Sequence, residues 1–206
     1  MDLLTLYGTP LSHFTRKVRI MLLEYGVPFT MVRPPDLLSA ADTYGGNPLL
    51  RIPTLRHGGT TVVESDHIAR HLVATFDPAD RFGVTSANVA ALNRLAVANG
   101  VMANEVTLIL AKRGGLEDID AVAYFRKLKD AIDAGLTWLD AETDPDAPGF
   151  TYADIATIAM WQHVEHYASA PNLCRFARIA ARVAHFASRA SVTATTPAAS
   201  LAAATA

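Results

Sequence analysis

The fold is decided by residues 3–33, which read LLTLYGTPLSHFTRKVRIMLLEYGVPFTMVR. The stretch begins with a short apolar run, and Phe14, Val18 and Leu22 then recur at every fourth position before Gly26. A recurrence of four is the spacing of one helix face, and a glycine is a common helix end. The following letters, VPFTMVR, have the β-branched and aromatic content of a strand. The stretch therefore predicts a strand, a helix and a second strand.

The residues that follow complete an α/β domain. Residues 36–47, DLLSAADTYGGN, read as a short helix ended by two glycines. Residues 52–65, IPTLRHGGTTVVES, contain two β-type runs joined by Gly58–Gly59, which is typical of a hairpin. Ser65 can cap a last helix that ends at Asp77–Pro78. The order is therefore βαβαββα over residues 1–76, the order of thioredoxin-like domains.

The second half of the chain has a different pattern. Helical periodicity without strand signals begins at about residue 85, after a linker that we place at 77–84 because of its Pro, Gly and charged residues. Residues 85–206 are expected to form a helical bundle, so the fold class is α/β plus all-α. Thr151 and Asp154 form a variant of the capping box, which predicts a helix start. Large apolar residues stop at about 192, and a tail that is frayed or draped on the surface is expected beyond it.

Composition excludes several classes of protein. The 206 residues suit one large or two small domains, and half of them are apolar, which excludes disorder over most of the length. With 18 Lys and Arg against 20 Asp and Glu, the formal net charge is −2, so no nucleic acid partner is expected. Charged residues interrupt every apolar run, so no membrane span is expected. Cys174 is the single cysteine, and without a secretory signal the predicted location is cytoplasmic, with this side chain buried.

Three short segments could carry chemistry. Ser12 opens the first predicted helix, where unpaired N–H groups and the helix dipole favour an anion such as a thiolate, although serine is also an ordinary N-cap. Ile52–Pro53 precedes a strand and could be a cis or a plain trans peptide bond. Glu64–Ser65 offers a carboxylate, a hydroxyl and fresh helix N–H groups, either for an amino acid head group or simply for capping.

The chain resembles the glutathione transferase superfamily, and specifically its cytosolic, serine-type bacterial members. The resemblance rests on an ordered set of strings that spans nearly the whole length: YGTPLSHFTRKVRIMLLEYGVPF, NPLLRIPTL, VVESDHIARHL, FTYADIATIAMWQ and PNLCRFARIAARVAHFASRASV. It implies a thioredoxin-like domain that holds glutathione, a helical domain that covers an apolar electrophile, and a homodimer. It also implies that glutathione is a co-substrate, with no permanently bound cofactor.

The resemblance assigns the thiol-activating hydroxyl to Ser12. Thr9 is the second candidate, and Tyr7 the third, because other branches of the superfamily use a tyrosine at the end of the first strand. Relatives usually read Ser-Pro-Phe where this chain reads Ser12–His13–Phe14. His13 is a minor candidate that would hold an anion as a cation, but a solvent-facing position is favoured for it, and Phe14 is expected to face the ligand.

The other glutathione contacts follow in the same way. Ile52 and Pro53 match the cis-proline motif, whose backbone pairs with the cysteinyl part of the tripeptide. Glu64 and Ser65 match the pair that binds the γ-glutamyl group. Arg51 could reach the glycyl carboxylate, although Leu50 stands where relatives often have glycine, so this arm of the site could be shifted.

The residues that line the electrophile pocket are harder to predict from the sequence. On a helix that is expected to line it, Met102 and Val106 could face the substrate, as could Trp161, although core packing explains the same pattern. The histidine pairs His67–His71 and His163–His166 have metal-ligand spacing, but without nearby cysteines or carboxylates no metal site is expected. Arg16, Lys17 and Arg19 are expected to lie on solvated faces.

The resulting expectation is an enzyme that conjugates the glutathione thiolate to an apolar electrophile. Two alternatives remain open at this point: the same thiolate could serve a peroxidase, dehalogenase or isomerase, or the chain could bind glutathione or hydrophobic ligands without turnover. Thiol–disulfide exchange is not expected, because no cysteine occurs in the first domain.

Overall fold

The computed structural model describes residues 3–38 and 44–205, which divide into two units. Met1–Thr85 and Ser188–Ala206 form the first, here called the N-terminal unit, and Ser86–Ala187 form the helical unit. The elements of the N-terminal unit are β1 (Leu4–Tyr7), α1 (His13–Glu24), β2 (Phe29–Val32), β3 (Thr54–His57), β4 (Thr60–Val63), α2 (Ser65–Phe76), α7 (Ala190–Thr193) and α8 (Pro197–Thr205). The predicted fold class, a thioredoxin-like domain plus a helical part, is confirmed.

The four strands form one mixed sheet in the order β2-β1-β3-β4. β1 runs parallel to β2 and antiparallel to β3, and β3 is antiparallel to β4. Tyr7 is paired with both Val32 and Thr54, and Thr54 is paired with Val63. These four residues, here called the edge row, therefore lie side by side at one edge of the sheet. β1 and β4 end at this edge, and β3 begins there. The segments after β1 and β4 and the segment before β3 therefore adjoin it.

Local sequence explains most elements of this unit. Leu4 and Leu6 of β1, together with Val18 and Leu22 of α1, are at most 2% exposed, as the alternating and fourfold patterns require. The hairpin turns at Gly58, whose φ of 56° suits a residue without Cβ. Of the helix that was predicted over 36–47, residues 39–43 lie outside the described residues, and the described residues 36–38 and 44–47 are in turns, bends or irregular backbone rather than a helix.

The helical unit contains α3 (Val89–Arg113), α4 (Ala123–Glu142), α5 (Tyr152–Tyr167) and α6 (Ala177–His185), with short 3₁₀ turns at Ile119–Ala121 and Leu173–Arg175. α3 packs against α4 and α5, and α6 packs against α4 and α5. The predicted capping box is present: Thr151 caps α5, and the Asp154 side chain accepts the Thr151 N–H. Among the described residues, α3 alone is long and apolar enough to span a membrane by length and composition, a test that core helices also pass.

The C-terminal residues differ from the expected frayed tail. Thr196 accepts the Ala199 N–H and Pro197 follows it as the first helical residue, an arrangement that starts α8. Val192, Thr195 and Ser200 are buried, at 0%, 0% and 2% exposure. The segment is also part of the N-terminal unit, as is the stretch around the expected linker, where Phe82 and Val84 are buried. Polar contacts to α1, described below, replace the missing large apolar side chains.

Two sequence-based expectations about charged and sulfur-containing residues are wrong. Arg16 and Lys17 are 2% and 0% exposed rather than solvated, because their long side chains find oxygen partners within the N-terminal unit. Cys174 is exposed rather than buried. It lies in the 3₁₀ turn Leu173–Arg175 before α6 rather than in the last helix, where a cysteine was expected to be buried.

Candidate functional site

The edge row brings the sequence-predicted segments of the N-terminal unit to one side of the sheet. Gly8–Ser12 continues from β1, Ile52–Pro53 leads into β3, and Glu64–Ser65 continues from β4. Adjacent strands are about 4.8 Å apart, so the three strands span about 10 Å at this edge. An extended tripeptide is also about 10 Å long. The edge therefore offers three groups of contacts over the length of a tripeptide.

Ser12 is the N-cap of α1. Its Oγ accepts the Thr15 N–H at 3.2 Å, with a backbone φ of −64° and ψ of 121°. A hydroxyl carries one proton and two lone pairs, and this cap uses one lone pair. The proton stays available for donation to an anion, beside the positive end of the helix dipole. The ordinary capping role and a thiolate-binding role are therefore compatible in the same side chain.

The two rival hydroxyls have different surroundings. Tyr7 ends β1, and its ring lies so close to Gly45 that a Cβ there would come within 2.5 Å of it. Gly45 also has a φ of +66°, so close approach and backbone conformation both require glycine at this position. The Thr9 carbonyl accepts the Ser12 N–H at 3.1 Å, so Thr9 helps to shape the turn that presents Ser12. Neither residue lies at a helix N-terminus.

His13 is buried at 1% exposure, which contradicts the expected solvent-facing position. Its Nδ1 accepts the Phe14 N–H at 3.0 Å, and its ring meets the half-buried Phe14 ring edge to face. This hydrogen bond gives His13 a structural role at the first turn of α1.

The peptide bond between Ile52 and Pro53 is cis, as the motif predicted. Pro53 is buried, Ile52 is half-buried and Arg51 is exposed. The Arg51 carbonyl accepts from Asn47 Nδ2 at 2.9 Å, and this contact fixes the backbone just before the motif. No described residue hydrogen-bonds the N–H or C=O of Ile52. Both groups can therefore pair with the backbone of a peptide ligand.

Leu50 has the backbone conformation of a glycine. Its φ is +51°, in the left-handed region, and its side chain is 45% exposed. A Cβ in this conformation costs about 1–2 kcal/mol. Leu50 therefore holds, at a cost in free energy, a left-handed conformation that glycine adopts freely, directly before Arg51.

We expect Leu50→Gly to raise the free energy of unfolding by about 1 kcal/mol, because it removes this strain and exposes little new apolar surface. Leu49→Gly is the matched control, since Leu49 is 65% exposed and does not have a positive φ. The control should lower the free energy of unfolding by about 1 kcal/mol through chain entropy. Urea unfolding of both variants measures the difference. Equal losses in the two variants would contradict the role of strain at Leu50.

Glu64 and Ser65 lie where β4 meets α2. Glu64 is the N-cap residue, one position earlier than predicted, with a φ of +73° and no capping side-chain bond. Its carboxylate is exposed, whereas Ser65 is 1% exposed and begins the helix. Strained backbone of this kind is maintained only where the surroundings determine it, and it clusters at ligand sites. The strain turns an acidic side chain outward beside a helix N-terminus, which suits a ligand with both charges.

Lys17 and Asp66 form an ion pair that the sequence patterns did not predict. Lys17 Nζ lies 2.6 Å from Asp66 Oδ1, and the Lys17 side chain is 0% exposed. Burial lowers the pKa of the Lys17 ammonium, and the Asp66 carboxylate opposes that shift. The pair joins α1 to the first turn of α2, so it fixes the two helices that carry Ser12 and Ser65. Asp66 lies 49 positions away from Lys17 in the sequence. No local pattern therefore distinguishes Lys17 from a solvated lysine.

The three residues predicted for an electrophile pocket are all in the helical unit. Met102 and Trp161 are buried at 0% and 3% exposure, and Val106 is half-buried. The helical unit contains a cavity of about 860 Å³, and none of the three lines it. Its lining instead combines apolar and polar side chains from α3, α4 and the end of α5, among them Leu108, Ile109, Lys112, Ile119, Tyr167 and Ser169.

One histidine of each pair with metal-ligand spacing has a hydrogen-bond partner outside the pair. His71 Nε2 lies 3.0 Å from His57 Nδ1, which is a histidine–histidine hydrogen bond within the N-terminal unit. His163 Nδ1 lies 2.7 Å from Glu105 Oε2, and the same carboxylate accepts from the Ser169 hydroxyl. Glu105 is 0% exposed, so this network satisfies a carboxylate inside the helical unit.

Comparison with known protein families gives a match within the N-terminal unit. Residues 6–80 match the family described as glutathione S-transferase, N-terminal domain. Comparison with curated proteins returned no match to the chain.

Solved structures are similar over nearly the whole chain. A glutathione S-transferase from Methylobacterium radiotolerans, in complex with glutathione sulfonate, has a TM-score of 0.79 and 24% identity over 94% of each chain. One from Methylobacillus flagellatus with bound glutathione has a TM-score of 0.79 and 25% identity, over 94% of this chain and 99% of that one. A family member from Pseudomonas fluorescens with bound glutathione has a TM-score of 0.75 and 24% identity, over 94% and 98%.

Proposed function

The chain belongs to the glutathione transferase superfamily, and on this premise we propose that it binds glutathione at the edge row and transfers its thiolate to an apolar electrophile. In this reaction the thiol proton passes to water, a sulfur–carbon bond forms, and the leaving group departs from that carbon with the electron pair of the bond that breaks. Three of the similar solved structures hold glutathione or glutathione sulfonate. Glutathione is the co-substrate, and no permanently bound cofactor takes part.

One observation carries the proposal: the pairing of Tyr7 with Thr54 and of Thr54 with Val63. This register brings the Ser12 turn, the Ile52–Pro53 motif and Glu64–Ser65 to the same edge of one sheet. In the proposal each of these three segments binds a different part of the tripeptide. Glu64 and Ser65 suit the γ-glutamyl ammonium and carboxylate, the Ile52 backbone suits the cysteinyl unit, and the exposed Arg51 suits the glycyl carboxylate.

In the proposed mechanism the Ser12 hydroxyl donates to the bound sulfur. A free thiol has a pKa of about 8.5, so a decrease of about two units makes the thiolate dominant at neutral pH and corresponds to about 2.7 kcal/mol. A charge-assisted hydrogen bond contributes about 1.5–3 kcal/mol, and the N-terminus of α1 adds to it. These contributions are large enough, so no second catalytic group is required.

We expect Glu64→Gln to weaken glutathione binding by about 10- to 100-fold, because an amide has no net charge to offer the γ-glutamyl ammonium. The Glu64 side chain is exposed, which keeps the effect below that of a buried ion pair. Calorimetric titration of glutathione measures the change.

Glu64→Gly is the matched control, since it removes the carboxylate and also relieves the positive φ. It should weaken binding as much as Glu64→Gln while leaving the protein at least as stable. Wild-type affinity in both variants would mean that the γ-glutamyl group does not lie beside α2.

The direct test of the proposed function is an ultraviolet difference titration of glutathione with the protein near pH 6.5. A saturable thiolate absorption band would establish binding and activation together. Binding by calorimetry without that band would favour a carrier without turnover, and a band without conjugation would favour a peroxidase, dehalogenase or isomerase. No binding at all would overturn the proposal.

The proposal extends to the assembly and the setting. Val89 and Leu92 are 68% and 40% exposed on α3, which supports a homodimer that covers them. The single cysteine and the soluble type of fold support a cytoplasmic protein that detoxifies small electrophiles. The cavity in the helical unit, with Leu108 and Ile109 in its lining, supports an apolar compound as the second substrate.

A further inference from the structure

The C-terminal segment, residues 188–205, is attached to α1 by polar contacts at three places within the N-terminal unit. Arg189 makes a two-point ion pair with Glu24, with both N–O distances at 2.7 Å. Arg16 donates to the Thr195 hydroxyl at 3.2 Å and to the Val192 carbonyl at 3.3 Å. Arg19 donates to Ser200 Oγ at 3.0 Å.

The third attachment reaches the candidate site. Nη1 of Arg19 also donates to the Pro10 carbonyl at 3.1 Å, so one nitrogen bridges α8 and the loop before α1. Ser200 Oγ is the acceptor on α8, and Ser200 is 2% exposed, so packing restricts its position. A guanidinium nitrogen carries two hydrogens, so it can make both bonds at once.

The loop that presents Ser12 is held mainly at its two ends. Gly8 N–H donates to the Val32 carbonyl at 2.9 Å, and Ser12 Oγ accepts the Thr15 N–H. Pro10 lies between them and has no N–H of its own. Within the loop the Thr9 carbonyl accepts the Ser12 N–H, and the Pro10 carbonyl, bound by Arg19, adds a contact that holds the middle of the loop from α1.

We propose that Arg19 is a positioning residue for Ser12, which it holds through the Pro10 carbonyl while Ser200 of the C-terminal segment holds Arg19. The inference rests on the proposed function. A displacement of about 1 Å in a catalytic group can reduce the rate about 100-fold, so a loop held in its middle keeps the Ser12 hydroxyl aimed at the sulfur. In this proposal α8 contributes to thiol activation through Arg19, although it does not contact the substrate.

The test compares Arg19→Met and Ser200→Ala with the wild type. We expect Arg19→Met to raise the pKa of bound glutathione by about one unit and to lower kcat with an activated aryl chloride about 10-fold, while KM for glutathione changes less than about threefold. Ser200→Ala should change the pKa and kcat in the same directions by a smaller amount. Ser200→Thr keeps the hydroxyl and should restore wild-type values.

Arg189→Met is the control for general loosening, because it releases the same segment at Glu24 without touching Pro10. It should lower stability and leave the thiol pKa unchanged. Equal pKa changes in Arg189→Met and Arg19→Met, or wild-type values in Ser200→Ala, would overturn the positioning role. If Arg19→Met does not fold, Ser200→Ala decides the outcome alone. A wild type that gives no thiolate band overturns the proposed function itself, which is distinct from a band that the variants leave unchanged.

Discussion

The Ser12→Ala variant is expected to conjugate glutathione about 100-fold more slowly than the wild type, with glutathione affinity changed less than about twofold. In the proposed mechanism the hydroxyl donates to the thiolate, and that bond matters most as the sulfur takes up charge during activation. In the same proposal other residues bind the peptide backbone and the γ-glutamyl group, so affinity should be largely retained. Steady-state kinetics and the thiolate difference spectrum measure the two effects separately.

Loss of the helix cap must be separated from loss of the hydroxyl. Ser12→Ala also removes the bond to the Thr15 N–H, which costs about 1 kcal/mol of stability. Asn88→Ala is the matched control, because Asn88 Oδ1 caps α3 through the Ala91 N–H at 3.0 Å. It should cost the same stability and leave turnover unchanged. Ser12→Thr keeps both the cap and the proton, and it should retain most of the activity.

A wild-type rate in Ser12→Ala would overturn the assignment of this hydroxyl. Thr9→Val and Tyr7→Phe would then identify the activating group, since each removes a hydroxyl and keeps the side-chain volume. A 100-fold loss in either of these variants, with Ser12→Ala normal, would transfer the role to that residue.

The second large effect is expected in the helical unit. Asp154→Ala should lower the free energy of unfolding by about 4 kcal/mol, because it removes one end of the capping box and leaves a buried guanidinium without its carboxylate. Asp154 accepts from the Thr151 N–H at 2.8 Å, and Arg182 donates to both of its oxygens at 2.8 and 3.0 Å. Arg182 is 3% exposed, so water cannot replace the lost charge.

Two further variants divide this loss into its parts. Thr151→Ala removes a cap but no charge and should cost about 1 kcal/mol. Arg182→Met combined with Asp154→Asn removes both charges and should be less damaging than Asp154→Ala alone. Chemical denaturation measures all three variants. A loss of about 1 kcal/mol in Asp154→Ala would mean that the carbonyls of Ala147 and Gly149, which also accept from Arg182, satisfy the guanidinium without the carboxylate.

Local signals were sufficient for several parts of this fold. The fourfold spacing of Val18 and Leu22 predicted α1, the glycine pair predicted the hairpin, and Thr151 with Asp154 predicted the start of α5. Each depends on neighbours within a few residues, where helix and turn geometry act directly on the chain. A local signal was also overlooked at the end: Thr196–Pro197 has the N-cap and first-position pattern that starts α8.

The environment of buried polar groups could not be predicted in this way. Lys17 looked solvated because it is a lysine on a helix, and its partner Asp66 is far away in the sequence. The same is true of Arg19 and Ser200, which are 181 residues apart. The positive φ of Leu50 was equally hidden, since leucine rarely adopts that conformation.

The sequence by itself predicted β1, α1, β2, the β3–β4 hairpin, α2 and the helical second half, the resemblance to glutathione transferases, and the residues that contact glutathione in the proposal, because these follow from short-range patterns and motifs. Only the tertiary structure decided that the register of Tyr7, Thr54 and Val63 gathers those residues at one edge. It also decided that residues 189–200 contact α1 through polar groups. The physical reason is that burial and ion pairing depend on which distant segments meet, and a one-dimensional pattern does not contain that information.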